Sequence, residues 1–159
     1  SGRVSGVQTC ALPICLCHLC RSGGETGLCG DSVMQTPLGI PIILRRVGLH
    51  GPKGIREIDM ILDTGAVYTV IAWDVARDIG YDPAVSERRM SIVTANGVVG
   101  VPFLKVKRME VAELSAEAVD VVCHDIPEMT GIEGLLGLSF LRHFRTLIDY
   151  PRGVLSIGP

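Results

Sequence analysis

The chain has 159 residues, of which 47% are hydrophobic and 20% are charged, so it favours one domain with a packed core and excludes a large two-lobed enzyme. The net charge of −2 provides no long-range field that would attract nucleic acid or anionic lipid. Nineteen glycines and nine prolines, against one Trp, three Tyr and three Phe, indicate many tight turns around an aliphatic core. A β-rich domain is therefore favoured over a helical bundle.

The first 33 residues differ in composition from the rest of the chain, because five of the six cysteines precede Val33. Cys17 and Cys20 have the spacing of half a zinc site, but no second pair with suitable spacing follows. Residues 11–19 have the apolar character of a signal peptide but lack a small-residue cleavage site. Both interpretations are alternatives to the one that we favour.

Residues 5–14 resemble the in-frame translation of a sequencing-library adapter. We therefore expect residues 1–33 to be a non-native or disordered leader and residues 34–159 to form the folded domain. The sequence does not establish the compartment, because targeting information at the N-terminus would be missing. The cytoplasm is favoured.

From Met34 onward the pattern predicts short strands with tight connections. Residues 40–47 and 55–62 read as a hairpin, because Gly and Pro between them supply a turn. A short strand at 67–71 and a helix at 72–79 follow. Strands at 90–94 and 98–111 are joined at Asn96-Gly97, a strong hairpin signal. The remaining predicted elements are strands at 118–123 and 135–137, a helix at 138–144, and a final hairpin of 146–150 with 153–157.

Asp63 is the most informative residue, because it is a carboxylate at the end of an apolar strand. An acid there loses hydration and is tolerated only with hydrogen-bond partners or a function. Thr64 and Gly65 supply partners, since glycine allows backbone amides to approach a carboxylate closely. The alternative is an ordinary Asx turn that closes a hairpin.

Three segments together resemble the retropepsin-like aspartic proteases: residues 59–71 with Asp63-Thr64-Gly65-Ala66, residues 134–141, and residues 148–157. The resemblance covers about residues 38–157. It implies a mainly β, closed-barrel acid-protease fold with one or two short helices and one lobe per chain. It also implies a catalytic group of Asp63, Thr64 and Gly65, support from Leu135, Leu136 and Gly137, and substrate contacts from Ala66 and a flap that carries Ala95, Asn96, Gly97 and Val98.

The chemistry of this family needs two neighbouring carboxyl groups that share a proton, and the chain has only one Asp-Thr-Gly motif. The second acid must therefore come from another copy, which predicts a homodimer with the site on its two-fold axis. The resemblance further implies that Thr64 bonds across this axis and that the terminal strands interleave. The expected activity is that of an aspartic endopeptidase on a peptide or protein substrate, with no nucleic acid, metal or cofactor.

One position departs from the family pattern. Val67 stands where relatives usually carry a small hydroxylated residue that can support the catalytic carboxylate. The alternative function is therefore a catalytically silent, dimeric peptide-binding module with the protease fold.

Other polar residues are given structural roles. His124, Asp125 and His143 are expected at the surface or at element ends, and Cys123 is expected to be a small buried hydrophobe. Ser139 does not lie in a nucleophile-elbow motif.

Overall fold

The computed structural model describes residues 33–94, 97–124, 126 and 131–159. Within these ranges the chain forms ten strands and two short helices. In chain order they are β1 (Met34–Pro37), β2 (Ile43–Gly51), β3 (Gly54–Leu62), β4 (Thr69–Ile71), α1 (Trp73–Asp78), β5 (Arg89–Thr94), β6 (Gly97–Val111), β7 (Leu114–Cys123), β8 (Gly134–Leu136), α2 (Leu138–Leu141), β9 (Arg145–Asp149) and β10 (Val154–Gly158).

The larger sheet has seven strands in the order β2-β3-β8-β4-β7-β6-β5. An additional antiparallel pairing of β2 with β6, which includes Gly48 opposite Glu110, closes six of these strands into a ring. The pairs β3–β8 and β4–β7 are parallel, whereas the other pairs in this sheet are antiparallel. The sheet is therefore a partly closed barrel, with β5 attached outside the ring to β6.

The remaining strands form a separate sheet in the order β1-β10-β9. The last strand, β10, is paired along one side with β1 and along the other with β9 of the same chain. Its inward-facing Leu155 and Ile157 are fully buried and join the barrel core. This small sheet thus ties both ends of the described chain to the barrel.

The core is aliphatic, as the composition predicts, and it divides into two clusters. In β3, Ile58, Met60 and Leu62 are buried and alternate with less buried neighbours, as expected for a strand with one face on the core. The main cluster fills the barrel beneath α1 and α2. A smaller cluster, built on Val70, Val101, Phe103 and Val122, lies where β4, β6 and β7 meet.

The predicted hairpins β2–β3, β5–β6 and β9–β10 are confirmed, as are both helices, although α2 ends earlier than predicted. The pattern missed β1 and the first half of β7, which starts at Leu114. Between Leu44 and Val47 a bulge shifts the β2–β3 register, and Arg46 lies there with a φ of 55°. No helix among the described residues has the length and apolar character needed to cross a membrane.

Candidate active site

Asp63 is the first residue after β3, and its own turn holds its carboxylate. Its Oδ1 atom accepts hydrogen bonds from the backbone N–H of Gly65 at 2.9 Å and of Ala66 at 3.2 Å. The N–H of Asp63 donates to the carbonyl oxygen of Leu136 at 3.0 Å, which fixes the start of the turn against β8. Asp63 is half-buried. Its carboxylate is therefore oriented by backbone amides and not by flexible side chains.

The residues around this carboxylate lie in one tight turn. Thr64 and Gly65 are exposed and Ala66 is half-buried. A Cβ atom on Gly65 would lie 3.3 Å from Asp63 Oδ1, closer than most Cβ atoms lie to a neighbouring atom. Glycine at this position thus lets its amide approach the carboxylate.

Strand β8 and the residue after it lie directly beside Asp63. Leu136 pairs with Leu62 in the parallel β3–β8 ladder, and Leu135 pairs with Val70 of β4. A Cβ on Gly137 would lie 2.6 Å from the carbonyl carbon of Tyr68 and 2.8 Å from the carbonyl oxygen of Ala66, so only glycine fits there without displacement of backbone. Of the three residues predicted to support the site, Leu136 and Gly137 therefore contact its turn, whereas Leu135 lies between β3 and β4 and packs on the smaller core cluster.

Two buried hydroxyl groups join the turn to the start of α2. Thr69 is fully buried, and its Oγ1 accepts hydrogen bonds from Gly137 N at 3.2 Å and Ser139 Oγ at 3.1 Å. The N–H of Thr69 donates to Ser139 Oγ at 2.9 Å, and the N–H of Leu138 donates to the carbonyl oxygen of Ala66 at 2.8 Å. Neither Thr69 nor Ser139 was predicted as part of the site, although a Thr beside the apolar Val-Ile pair and a Ser beside Phe-Leu are the signal of such a bridge.

Arg56, on β3, holds the loop before β8 through an ion pair with Glu133. Its guanidinium contacts the carboxylates of Asp74, Asp78 and Glu133. Burial alone would lower the pKa of Arg56, but the three carboxylates together raise it, so the arginine remains charged. The N–H of Glu133 donates to the carbonyl oxygen of Asp59, and the carbonyl oxygen of Glu133 accepts a hydrogen bond from the N–H of Ala72. These bonds connect β3, the loop before β8 and the segment before α1.

The β5–β6 hairpin carries the residues predicted for a flap. Gly97 has a φ of 120°, a backbone conformation that favours glycine, and Val98 is 70% exposed. Val93 lies directly opposite Val98 and is 85% exposed. Ala95 and Asn96 lie outside the described residues, as do residues 1–32 of the leader, which include Cys17 and Cys20.

The base of this hairpin is joined to the segment after Asp63. The Phe103 ring meets the Tyr68 ring edge-on, with 5.5 Å between centroids and 84° between planes. The structure thus brings the hairpin base, the turn and β8 together around the smaller core cluster.

The side chain of Val67 is 63% exposed and is not buried against the Asp63 carboxylate. The partners of Asp63 Oδ1 are backbone amides, so the missing hydroxyl at position 67 leaves these two hydrogen bonds intact.

Other titratable residues were predicted to have structural roles. His143 is exposed, His124 is half-buried directly after β7, and Asp125 lies outside the described residues. Cys123 is fully buried, as predicted, and burial raises the pKa of its thiol to about 12.

The comparisons with known proteins agree with this arrangement. The family model described as gag-polyprotein putative aspartyl protease matches residues 53–143, more than half of the chain, including Asp63 and all of β8. A solved retropepsin-like aspartic protease from Rickettsia conorii is similar in structure, with a TM-score of 0.60 and 16% sequence identity over 80% of this chain and 99% of that chain. The comparison with curated proteins gave no match. The chain therefore belongs to the gag-polyprotein aspartyl protease family and has the retropepsin-like fold.

Proposed function

We propose that the chain is an aspartic endopeptidase that acts as a homodimer, with one Asp63 carboxylate from each protomer. The observation that carries the proposal is the turn that orients Asp63 through the amides of Gly65 and Ala66. The N–H of Asp63 also donates to the carbonyl oxygen of Leu136, so the turn that orients the carboxylate is fixed against β8, a contact that an ordinary Asx turn does not require.

The remaining oxygen of the carboxylate has a role in this proposal. Among the residues that the structure describes, both hydrogen bonds to the Asp63 side chain end on Oδ1. Oδ2 is therefore the atom that would face the attacking water and the partner's carboxyl group. Thr64, exposed beside it, would bond across the two-fold axis.

The reaction needs one ionised and one protonated carboxyl group. Two carboxylates about 3 Å apart cannot both ionise, so the pair retains one proton. The ionised Asp63 removes a proton from water as its oxygen attacks the peptide carbonyl carbon, and the protonated Asp63 donates to the carbonyl oxygen. When the tetrahedral intermediate collapses, the C–N bond breaks and a carboxyl group returns the proton to the leaving amine.

Exposed apolar side chains beside the turn favour a second copy as the partner. Val67 is 63% exposed and Leu138 is 41% exposed, and the Leu138–Ala66 hydrogen bond keeps the two segments together. A second protomer that supplies its Asp63 would cover this face. In this proposal Val67 contacts the second protomer and does not support the carboxylate.

The β5–β6 hairpin would cover an extended peptide in the cleft. Its exposed Val93 and Val98 would contact apolar substrate side chains, together with the segment at Ala95 and Asn96. Ala66 and Gly97 would contribute backbone groups to the same peptide.

Asp63→Asn tests the proposal, with Asp82→Asn as the matched control. The amide keeps the shape of the carboxylate but cannot act as a base, so cleavage of an unfolded protein substrate should fall at least about 100-fold. Asp82 is exposed and caps a short 3₁₀ turn through Ala84 N, a role that Asn also fills, so the control should retain full activity. Both variants should remain folded.

The dimer is tested by the dependence of specific activity on concentration. Wild-type activity should be highest at acidic to mildly acidic pH, where the pair keeps its proton, and should fall on dilution as protomers separate. Activity that survives in Asp63→Asn would refute the mechanism. A folded dimer that binds peptides but cleaves none at any pH would instead support the silent binding module.

A further inference from the structure

The base of the β5–β6 hairpin contains a stacked contact outside the catalytic turn. The Cζ atom of Arg88 lies 4.5 Å from the centroid of the Phe103 ring, and the ring of Tyr68 meets Phe103 edge-on. A guanidinium over an aromatic face is attracted by the ring quadrupole. Phe103 thus lies between a cation from the start of the hairpin and a ring from the segment after Asp63.

Hydrogen bonds to the backbone of Arg88 and Phe103 hold the same residues in place. The N–H of Phe103 donates to the carbonyl oxygen of Arg88 at 2.8 Å. The hydroxyl of Ser86 lies 3.1 Å from the carbonyl oxygens of both Arg88 and Phe103. The two chain segments that enter and leave the hairpin are therefore joined at its base.

On the other side of the stack, the backbone of Tyr68 is closely packed. Its carbonyl group packs against Gly137, and it precedes the fully buried Thr69. Phe103 is itself 6% exposed, whereas Arg88 is exposed. Arg88 is therefore the member of the stack that can be changed without opening the core.

We propose that Arg88, Phe103 and Tyr68 form a latch that sets the orientation of the β5–β6 hairpin relative to the Asp63 turn. Arg88 is then a positioning residue for substrate binding. This inference rests on the proposed function only where it concerns the substrate, because the latch itself is a property of the free protein.

The test compares wild type with Arg88→Gln, Arg88→Lys and the control Arg77→Gln, which changes an exposed arginine on α1. Loss of the cation should speed hydrogen exchange of the hairpin amides about two- to fivefold, which corresponds to about 0.5–1 kcal/mol. Exchange in β7 should not change. Arg88→Lys, which keeps a cation, should restore most of the protection.

The kinetic readout separates positioning from general destabilisation. With a peptide substrate, Arg88→Gln should raise KM about two- to fivefold and change kcat less than twofold, whereas Arg77→Gln should change neither. Unaltered hairpin exchange in Arg88→Gln would overturn the latch even if the protein is an active protease. Faster hairpin exchange in a protein that cleaves no peptide would support the latch and refute the proposed function.

Discussion

The buried bridge between Thr69 and Ser139 gives a quantitative prediction for Thr69→Val. Valine keeps the shape of threonine but removes Oγ1, the acceptor for Gly137 N–H and for the Ser139 hydroxyl. Two buried donors then lose a partner. Since an unsatisfied buried polar group costs about 1–3 kcal/mol, and the Ser139 hydroxyl can rotate, we expect the free energy of unfolding to fall by about 2–4 kcal/mol.

Thr146→Val is the matched control, because it makes the same chemical change at another buried hydroxyl. Among the described residues, Thr146 Oγ1 is the buried side-chain polar atom with no hydrogen-bond partner. Its removal should leave stability unchanged or raise it by up to about 1 kcal/mol.

Urea unfolding at one fixed protein concentration measures both variants, since dimer formation would make stability depend on concentration. The expected result is a lower midpoint for Thr69→Val alone, with the slope of the transition unchanged. If the two substitutions have equal effects, or if Thr69→Val costs less than about 0.5 kcal/mol, the bridge does not stabilise the turn as argued.

Two further predictions concern Gly137, which packs against the turn, and the buried thiol of Cys123. Gly137→Ala places a methyl group against the backbone of Tyr68 and Ala66 and should lower the free energy of unfolding by about 1–3 kcal/mol. In the control Gly100→Ala the methyl group meets no atom within 4 Å, so the free energy of unfolding should change by less than about 1 kcal/mol in the same urea assay. Burial raises the pKa of the Cys123 thiol to about 12, so iodoacetamide at pH 8 should alkylate Cys123 at least about 100-fold more slowly in the folded chain than in urea. Mass spectrometry of the peptide that contains Cys123 measures both rates, and equal rates would contradict a buried thiol.

Local pattern was sufficient to predict strands whose faces differ in burial. The alternation in β3 and the Asn-Gly signal at the β5–β6 hairpin are local, and both hairpins are confirmed. Met34–Pro37 has only one aliphatic side chain, contains Gln and Thr, and ends in proline, so its strand depends on pairing with β10, more than 100 residues away. The start of β7 contains Ser, Ala and Glu, which are poor strand formers, and its pairing with β6 overrides that preference.

The candidate site was predicted only in part for the same reason. Asp63, Gly65 and Gly137 were identified from the motif and the family resemblance, and the structure places them together. The Thr69–Ser139 bridge joins residues 70 positions apart, and neither residue is distinctive by itself. Arg56 likewise acquires its three carboxylate partners only when α1 and the loop before β8 come to β3. Contacts of this kind arise from topology, which a single sequence does not display.

The hydrogen bonds that orient Asp63 have a consequence for the proposed dimer. The amides of Gly65 and Ala66, the Leu136 carbonyl and the Thr69–Ser139 bridge all belong to the same chain as the carboxylate. In the proposed dimer, each protomer would therefore carry a preorganised half of the site, held by hydrogen bonds within its own chain. The partner would add the second carboxyl group and cover Val67 and Leu138. Dissociation should then abolish cleavage without unfolding the turn, so activity and stability are separable properties of this fold.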